Sequence, residues 1–275
     1  MPDSRSAISD SPTALAIIPA RMASTRLPGK PLLAKTGKPL IQHVVENARR
    51  AARLDRVVVA SDDRVIIDTV RGFGGEAVLT GEHPNGTSRI AEALRIIESK
   101  NGDCPRFQLI VNVQGDEPEI DPAVIDALVD GLAADESAPM ATLCSRFADG
   151  EDPTNPNIVK LVRDVRGRAM YFSRALVPFD RDAPGSDGVG AKPRAASGSA
   201  YWKHPGLYAY RRPFLLDVYP TLLPTPLEDI EKLEQLRILE HGHAIAVIEA
   251  NAPEPGIDTP EQYTAFVERY RQQNG

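Results

Sequence analysis

A chain of 275 residues with 42% hydrophobic content can bury the core of one large α/β domain, with or without a smaller insertion, and requires no second domain. Its formal net charge of -6 argues against general nucleic-acid or anionic-membrane binding, which needs a broad positive field. No apolar run approaches the ~20 residues of a membrane span, and the widely separated Cys104 and Cys144 give neither a disulfide framework nor a zinc site and fit reduced thiols in the cytoplasm.

Residues 1–13 are rich in Ser, Asp and Pro and lack the apolar core of a secretory signal, so they are expected to be a disordered tail before a single domain over 14–275. The apolar run 14–18 reads as a buried parallel strand, and a polar loop begins where it ends. A helix is predicted over 39–54, where Leu40, Ile41, Val44, Val45, Ala48, Ala51 and Ala52 recur at helical spacing and leave Arg49, Arg50 and Arg53 to solvent. Strand-like runs at 56–60, 76–80 and 107–113 then alternate with helical patterns at 64–73 and 87–100. Such alternation implies parallel strands with right-handed crossovers and helices on both faces. After Met140 the pattern changes to extended runs at 140–145, 157–164, 168–174 and 201–211, a mixed-sheet region around 140–215 expected to cover one side of a cleft. Within it, 183–200 is rich in Gly, Ala, Ser and Pro and is expected to be a mobile surface loop. Helices at 226–240 and 260–272 flank a strand at 244–250. Both start on a Thr-Pro pair, Thr225-Pro226 and Thr259-Pro260, with Glu228 and Gln262 three residues after the cap. There is no internal repeat.

The loop after the first strand carries the clearest chemistry. Between Ser11 and Val45 the acidic chain has no Asp or Glu but has Arg21, Arg26, Lys30, Lys35 and Lys38. The segment from Ile17 to Pro31 runs Ile-Ile-Pro-Ala-Arg-Met-Ala-Ser-Thr-Arg-Leu-Pro-Gly-Lys-Pro, which can gather backbone N–H groups, hydroxyls and cations around a phosphate chain. It lies at the carboxyl edge of the predicted sheet, where open α/β sheets bind ligands. Neither the Walker spacing nor Gly-x-Gly-x-x-Gly is present. A second segment, Gln114-Gly115-Asp116-Glu117-Pro118, follows the strand at 107–113 and so reaches the same edge. Asp116 there is either a metal-binding carboxylate or the Asp of a tight turn. Asp258 has a matching ambiguity at a helix start, although Thr259 already supplies the cap.

These blocks resemble the signature of the sugar-acid cytidylyltransferases, in particular the 3-deoxy-manno-octulosonate (Kdo) cytidylyltransferase, or CMP-Kdo synthetase, family. The resemblance runs from about Ala14 to the C-terminal helix. It rests also on Asn155-Pro156-Asn157 with Val159-Lys160, Tyr171-Phe172-Ser173-Arg174, His204-Pro205-Gly206-Leu207-Tyr208, Leu233-Glu234-Gln235-Leu236-Arg237 and Gly256-Ile257-Asp258-Thr259-Pro260-Glu261.

The resemblance implies a doubly wound, mostly parallel α/β sheet of the nucleotide-diphospho-sugar transferase kind with a smaller mixed-sheet subdomain. It implies transfer of CMP from CTP to Kdo, releasing diphosphate, for lipopolysaccharide biosynthesis. Arg21, Lys30 and Ser24 are implied to hold the triphosphate, with backbone near Ala20 and Arg21 on the cytosine edge. Asp116 and Asp258 are implied as carboxylate ligands of magnesium, and Lys30, Asp116 and Asp258 as the catalytic set; Glu117 beside them reads as a helper at most and not as a direct ligand. Arg89, Gln114, Arg181, His204, Tyr208, Glu234 and Gln235 are implied to bind the sugar acid. A homodimer in the cytoplasm, with neither nucleic-acid nor membrane partner, completes the expectation. On the residues alone, His204 and Tyr208 equally fit a core face, Glu234 and Arg237 a surface i,i+3 pair, and Arg181 a solvated loop flank. Arg26, Lys35 and Lys38 read as bystanders. One departure is Ser88, where the family commonly has an acidic residue; a neutral group there leaves Arg89 less compensated and keeps open a related acid, 8-amino-Kdo or N-acetylneuraminate. A nucleotide-binding protein without turnover and a hexose-phosphate nucleotidylyltransferase are the readings of other kinds.

Overall fold

A computed structural model describes residues 12–23, 26–100, 107–148, 150–181, 201–251 and 256–274. Residues 1–11 of the expected tail and all of the 183–200 loop lie outside the described residues. Thr13 does not behave as tail, since its carbonyl accepts from the Gln108 and Leu109 N–H groups at 2.9 and 3.1 Å.

The first strand, β1 (Ala14–Pro19), is apolar throughout because it is buried on both faces. Its alternate residues enter two cores. Ala14, Ala16 and Ile18 pack with Ile41, Val44 and Ile125 on one side, while Leu15 and Ile17 pack with Ile90 and Leu94 on the other. Each such fully buried Leu or Ile stabilises by roughly 1.5–3 kcal/mol. The chain continues through α1 (Leu40–Ala48), β2 (Arg56–Ser61), α2 (Arg64–Gly72), β3 (Glu76–Leu79), α3 (Gly86–Lys100), β4 (Leu109–Asn112), α4 (Pro122–Ala134) and β5 (Met140–Arg146). There follow β6 (Lys160–Arg163), β7 (Ala169–Ser173), β8 (Trp202–Lys203), β9 (Tyr208–Arg211), α5 (Pro226–Glu231), α6 (Gln235–Glu240), β10 (Ile245–Glu249) and α7 (Pro260–Asn274).

The strands form one sheet in the order β3-β2-β1-β4-β9-β5-β8-β6-β7, with β10 also paired to β5. The β3-β2-β1-β4 half is parallel, as is β10 with β5. Strand β9 runs antiparallel between β4 and β5, and β6, β7 and β8 extend the sheet as antiparallel pairs. This is the expected α/β fold: a parallel first half with helices on both faces and a mixed-sheet extension beyond it.

Several elements differ from the sequence expectation for tertiary reasons. Helix α1 stops at Ala48 rather than running to 54, because Asp126 of α4 captures the Ala52 and Arg53 N–H groups at 3.1 and 2.8 Å; Ala52 is exposed. The single helix expected over 226–240 is two, broken at Lys232, which adopts a left-handed conformation with φ 54°. The run at 201–211 is likewise two strands, interrupted at Pro205-Gly206. Helix α4 was not expected, although Asp121 caps it through the Ala123 N–H at 2.9 Å and Val124, Ile125, Leu128, Val129 and Leu132 form its buried face.

Candidate active site

A cavity of about 790 Å³ opens at the carboxyl ends of β1 and β4, the edge predicted for the ligand. Two glycines set the backbone that carries its lining residues. Gly29 adopts φ 66° and turns the basic loop into a short 3-10 segment, Lys30–Leu32. Gly115 lets β4's continuation close on β1: a Cβ there would sit 2.8 Å from the Pro19 carbonyl oxygen. The turn it makes carries Asp116, whose carbonyl accepts from the Ile257 N–H at 2.8 Å and so draws the Asp258 segment alongside. Leu27 and Ile257 share a small core with Leu40, Tyr263, Phe266 and Val267. The basic loop and the start of α7 are therefore packed as one unit.

That packing brings three separated sequence blocks to one point. Lys30 Nζ donates to Asp116 Oδ2 at 2.7 Å and to Asp258 Oδ1 at 3.0 Å, and only 13% of its side chain is exposed. Asp258 Oδ2 also meets Arg26 Nη2 at 2.9 Å, so Arg26 is a partner in the site and not a bystander. Of the other cations, Lys38 pairs with Glu46 and Lys35 lies 5.8 Å over the Tyr263 ring. Arg21 and Ala20 line the cavity. The Ala20 N–H is spent on the Ala60 carbonyl at 2.9 Å, which leaves the Ala20 carbonyl and the Arg21 N–H as the backbone groups at that point. Ser24 lies outside the described residues. As expected, Asp258 is not needed as a cap: Thr259 and Gln262 make the capping box, with the Gln262 N–H on Thr259 Oγ1 at 3.3 Å and the Thr259 N–H on Gln262 Oε1 at 3.0 Å.

Two carboxylates converging on one cation suit a hard metal ion, which would complete its shell with phosphate and water oxygens. Among the described residues no group of three or more His, Cys, Asp or Glu stands ready to hold a metal unaided. Glu117 does not join the pair. It is buried, and burial together with the Asp116 charge pushes its carboxyl up to about 8, so it is protonated at neutral pH.

Arg89 and Gln114 also line the cavity. Buried Arg89 donates to Asp62 Oδ2 and to Thr80 Oγ1, both at 2.9 Å. Burial alone would raise the Asp62 carboxyl, but the Arg89 guanidinium holds it below its ordinary value. Asp62 thus compensates Arg89, and the expectation that Ser88 leaves it under-compensated is corrected. The Ser88 hydroxyl faces its own turn, donating to the Asn85 carbonyl at 3.1 Å. His83, Asn85 and Gly86 of the same turn are cavity residues that the sequence reading did not single out.

The remaining residues of the implied sugar-acid set form a second group behind β9, except Arg181, which is exposed at the edge of the described segment 150–181. His204 Nε2 lies 2.9 Å from the Tyr208 hydroxyl and its Nδ1 lies 3.2 Å from the Leu143 carbonyl. A carbonyl only accepts, so Nδ1 carries the proton and Nε2 accepts from Tyr208. Burial lowers the His204 pKa to about 4, which leaves the ring neutral at pH 7. Glu234 accepts from the Tyr219 hydroxyl, and burial raises its carboxyl. It makes no surface pair with Arg237, whose guanidinium is held by Glu228 at 2.6 and 2.7 Å. Gln235 is buried, and its Nε2, like Asn112 Oδ1, has no partner among the described residues. Unpaired buried polar atoms are costly unless a ligand or water serves them. Gln114 joins the two groups, since its Nε2 donates to the Gly206 carbonyl, between His204 and Tyr208, at 2.8 Å.

Behind this second group, the blocks at 155–160 and 171–174 make a structural knot. Fully buried Lys160 donates to the Asn155 and Arg174 carbonyls. Arg174 in turn holds the Pro156 and Glu231 carbonyls, and Glu231 accepts from Ser173 Oγ at 2.6 Å. The knot anchors the Lys232 turn that leads into Glu234.

Comparison with known proteins places this geometry in context. A family model described as cytidylyltransferase matches residues 15–245. A 3-deoxy-manno-octulosonate cytidylyltransferase of Syntrophobacter fumaroxidans is 48% identical over 252 residues, 91% of this chain and 94% of that one. The enzyme of the same name from Syntrophotalea carbinolica is 49% identical over 247 residues, 90% and 94% of the two chains. A solved structure of CMP:2-keto-3-deoxy-manno-octonic acid synthetase complexed with CTP superposes with a TM-score of 0.82 at 38% identity, covering 95% of this chain and 99% of that one.

Proposed function

The chain belongs to the 3-deoxy-manno-octulosonate cytidylyltransferase family, and on that premise we propose that it transfers CMP from CTP to Kdo, giving CMP-Kdo and diphosphate, the activated sugar for lipopolysaccharide assembly. The observation that carries this reading is the meeting of Lys30, Asp116 and Asp258 in one cavity at the carboxyl edge of the sheet.

The anomeric hydroxyl of the sugar attacks the α-phosphorus of CTP. Its oxygen forms the new P–O bond, the bond to the β-phosphate breaks, diphosphate leaves and the hydroxyl proton passes to solvent. No protein nucleophile is required, because the sugar hydroxyl itself attacks the phosphorus. Arg21, Arg26 and Lys30 bring three cations to the phosphate chain, and Lys30 exchanges part of its contact with the two carboxylates for phosphate oxygens. Asp116 and Asp258 are the residues that would hold magnesium, which when bound supplies charge neutralisation at the phosphates and lowers the pKa of the attacking hydroxyl. Catalysis by this chain is then positioning and electrostatic stabilisation. Arg89 and Gln114 on the near wall, with His204, Tyr208, Glu234 and Gln235 behind, offer the cation and hydrogen-bonding groups that a polyhydroxy acid needs. Because Asp62 already compensates Arg89, Ser88 gives no reason to prefer 8-amino-Kdo or N-acetylneuraminate.

We place the enzyme in the cytoplasm, where CTP is available and the free thiol of Cys144 is stable. We read it as a homodimer through the mixed-sheet extension, which exposes the apolar side chains of Met170 and Phe179. Diphosphate release from CTP with Kdo, 8-amino-Kdo and N-acetylneuraminate in parallel tests the function. Release with Kdo, dependent on magnesium, supports it; release with none of the three rejects it.

A further inference from the structure

The two groups of site residues are joined a second time at one hydroxyl. Tyr219 is 3% exposed and opens a 3-10 turn, Tyr219–Thr221, directly after a single π turn, Phe214–Val218. Single π turns occur frequently at functional sites, where they re-aim a side chain that a regular helix would misplace. Here the re-aimed hydroxyl accepts from Asn85 Nδ2 at 3.2 Å and donates to Glu234 Oε1. Asn85 lines the nucleotide cavity, and its Oδ1 accepts from the Ser88 N–H at 2.9 Å, which fixes the amide. Close to Glu234 in the same core, Thr87 Oγ1 lies 3.2 Å from the Tyr210 hydroxyl. A hydrogen-bonded line therefore runs from the cavity wall through Tyr219 to a carboxylate of the second group.

A phenylalanine would fill the same space beside Leu233 and Leu236 in the core. The Tyr219 hydroxyl is an added polar group in that core, and it is spent entirely on Asn85 and Glu234. A carboxylate accepts but does not donate, so fixing one oxygen fixes the direction in which the other lone pairs can receive sugar hydroxyls.

We propose that Tyr219 is a positioning residue for the acceptor sugar: its hydroxyl orients the Glu234 carboxylate, and its bond from Asn85 ties that orientation to the wall of the nucleotide cavity. This rests on reading Glu234 as an acid-sugar contact. The test is steady-state kinetics with CTP and Kdo varied separately, together with thermal unfolding, for Tyr219→Phe, Glu234→Gln and the double variant. A lost hydrogen bond to a charged group predicts a rise of about tenfold or more in KM for Kdo in Tyr219→Phe, with KM for CTP within about twofold of wild type. Tm should fall by no more than the few degrees that one lost buried hydrogen bond costs, and the double variant should be no worse than Glu234→Gln alone, because the two groups act through one another. If Glu234→Gln raises KM for Kdo but Tyr219→Phe does not, the positioning role fails and the site reading stands. If Glu234→Gln leaves KM for Kdo unchanged, the site reading fails and this proposal with it. Equal rises in both KM values would show a structural role only and overturn the proposal.

Discussion

Replacing Lys30 by Met removes the one ammonium that touches both candidate metal-holding carboxylates while keeping the length of the side chain. Lys30 Nζ sits 2.7 Å from Asp116 and 3.0 Å from Asp258, with 13% of the side chain exposed, so solvent screens it weakly. A unit charge pair at ~4 Å and an effective dielectric near 20 is worth roughly 4 kcal/mol. If that interaction is made with the phosphates in the transition state, its loss lowers kcat/KM by about 1,000-fold, at about 1.36 kcal/mol per factor of ten. The same substitution acts oppositely on the metal. Without the ammonium, Asp116 and Asp258 keep Arg26 as an ion-pair partner on Asp258 alone, and their attraction for a divalent cation rises. Diphosphate release measured over a series of CTP concentrations, beside magnesium titration of the nucleotide-free protein, reads both effects. A loss of less than about tenfold in kcat/KM, or magnesium binding weaker than in wild type, would refute the reasoning.

Asp116→Asn and Asp258→Asn each remove one carboxylate from the pair, so both should raise the magnesium concentration needed for half-maximal rate and lower kcat by about 100-fold or more, measured by the same release assay. His204 titrates near 4 in the folded chain against 6.5 unfolded, so below pH 6.5 the unfolded state binds the extra proton first. Stability is then lost as pH falls from about 6.5 to about 4, by about 3 kcal/mol in all. Urea unfolding across that range should show the loss, and His204→Asn should flatten it. Lys160→Met leaves the Asn155 and Arg174 carbonyls without their buried donor and should cost about 2 kcal/mol, a fall in Tm of several degrees by calorimetry.

The parts of the fold legible in the sequence are those fixed by local pattern. The apolar 14–18 run, the Pro/Gly-punctuated basic loop after it and the Gly115-Asp116 turn placed the cavity at the correct sheet edge, because strand burial and turn chemistry are local. The Thr259 capping box freed Asp258 for another role, again from neighbours in sequence. What escaped depends on partners far along the chain. Asp126 ends α1, and the pull of Arg174 on the Glu231 carbonyl accompanies the break at Lys232. The Asp62 pair with Arg89 spans 27 positions and corrected the weight given to Ser88. Helix α4 is different: Asp121, Pro122 and the spacing of Val124, Ile125 and Leu128 were signal enough. Tyr219 had no such signal, since its role depends on a π turn that no local motif announces.

The central claim is tested most directly by identifying what the wild-type protein makes from CTP, Kdo and magnesium. The account predicts CMP-Kdo by mass spectrometry with one diphosphate released per sugar activated. CTP binding with no diphosphate, or diphosphate released without a CMP-linked sugar acid, would contradict it.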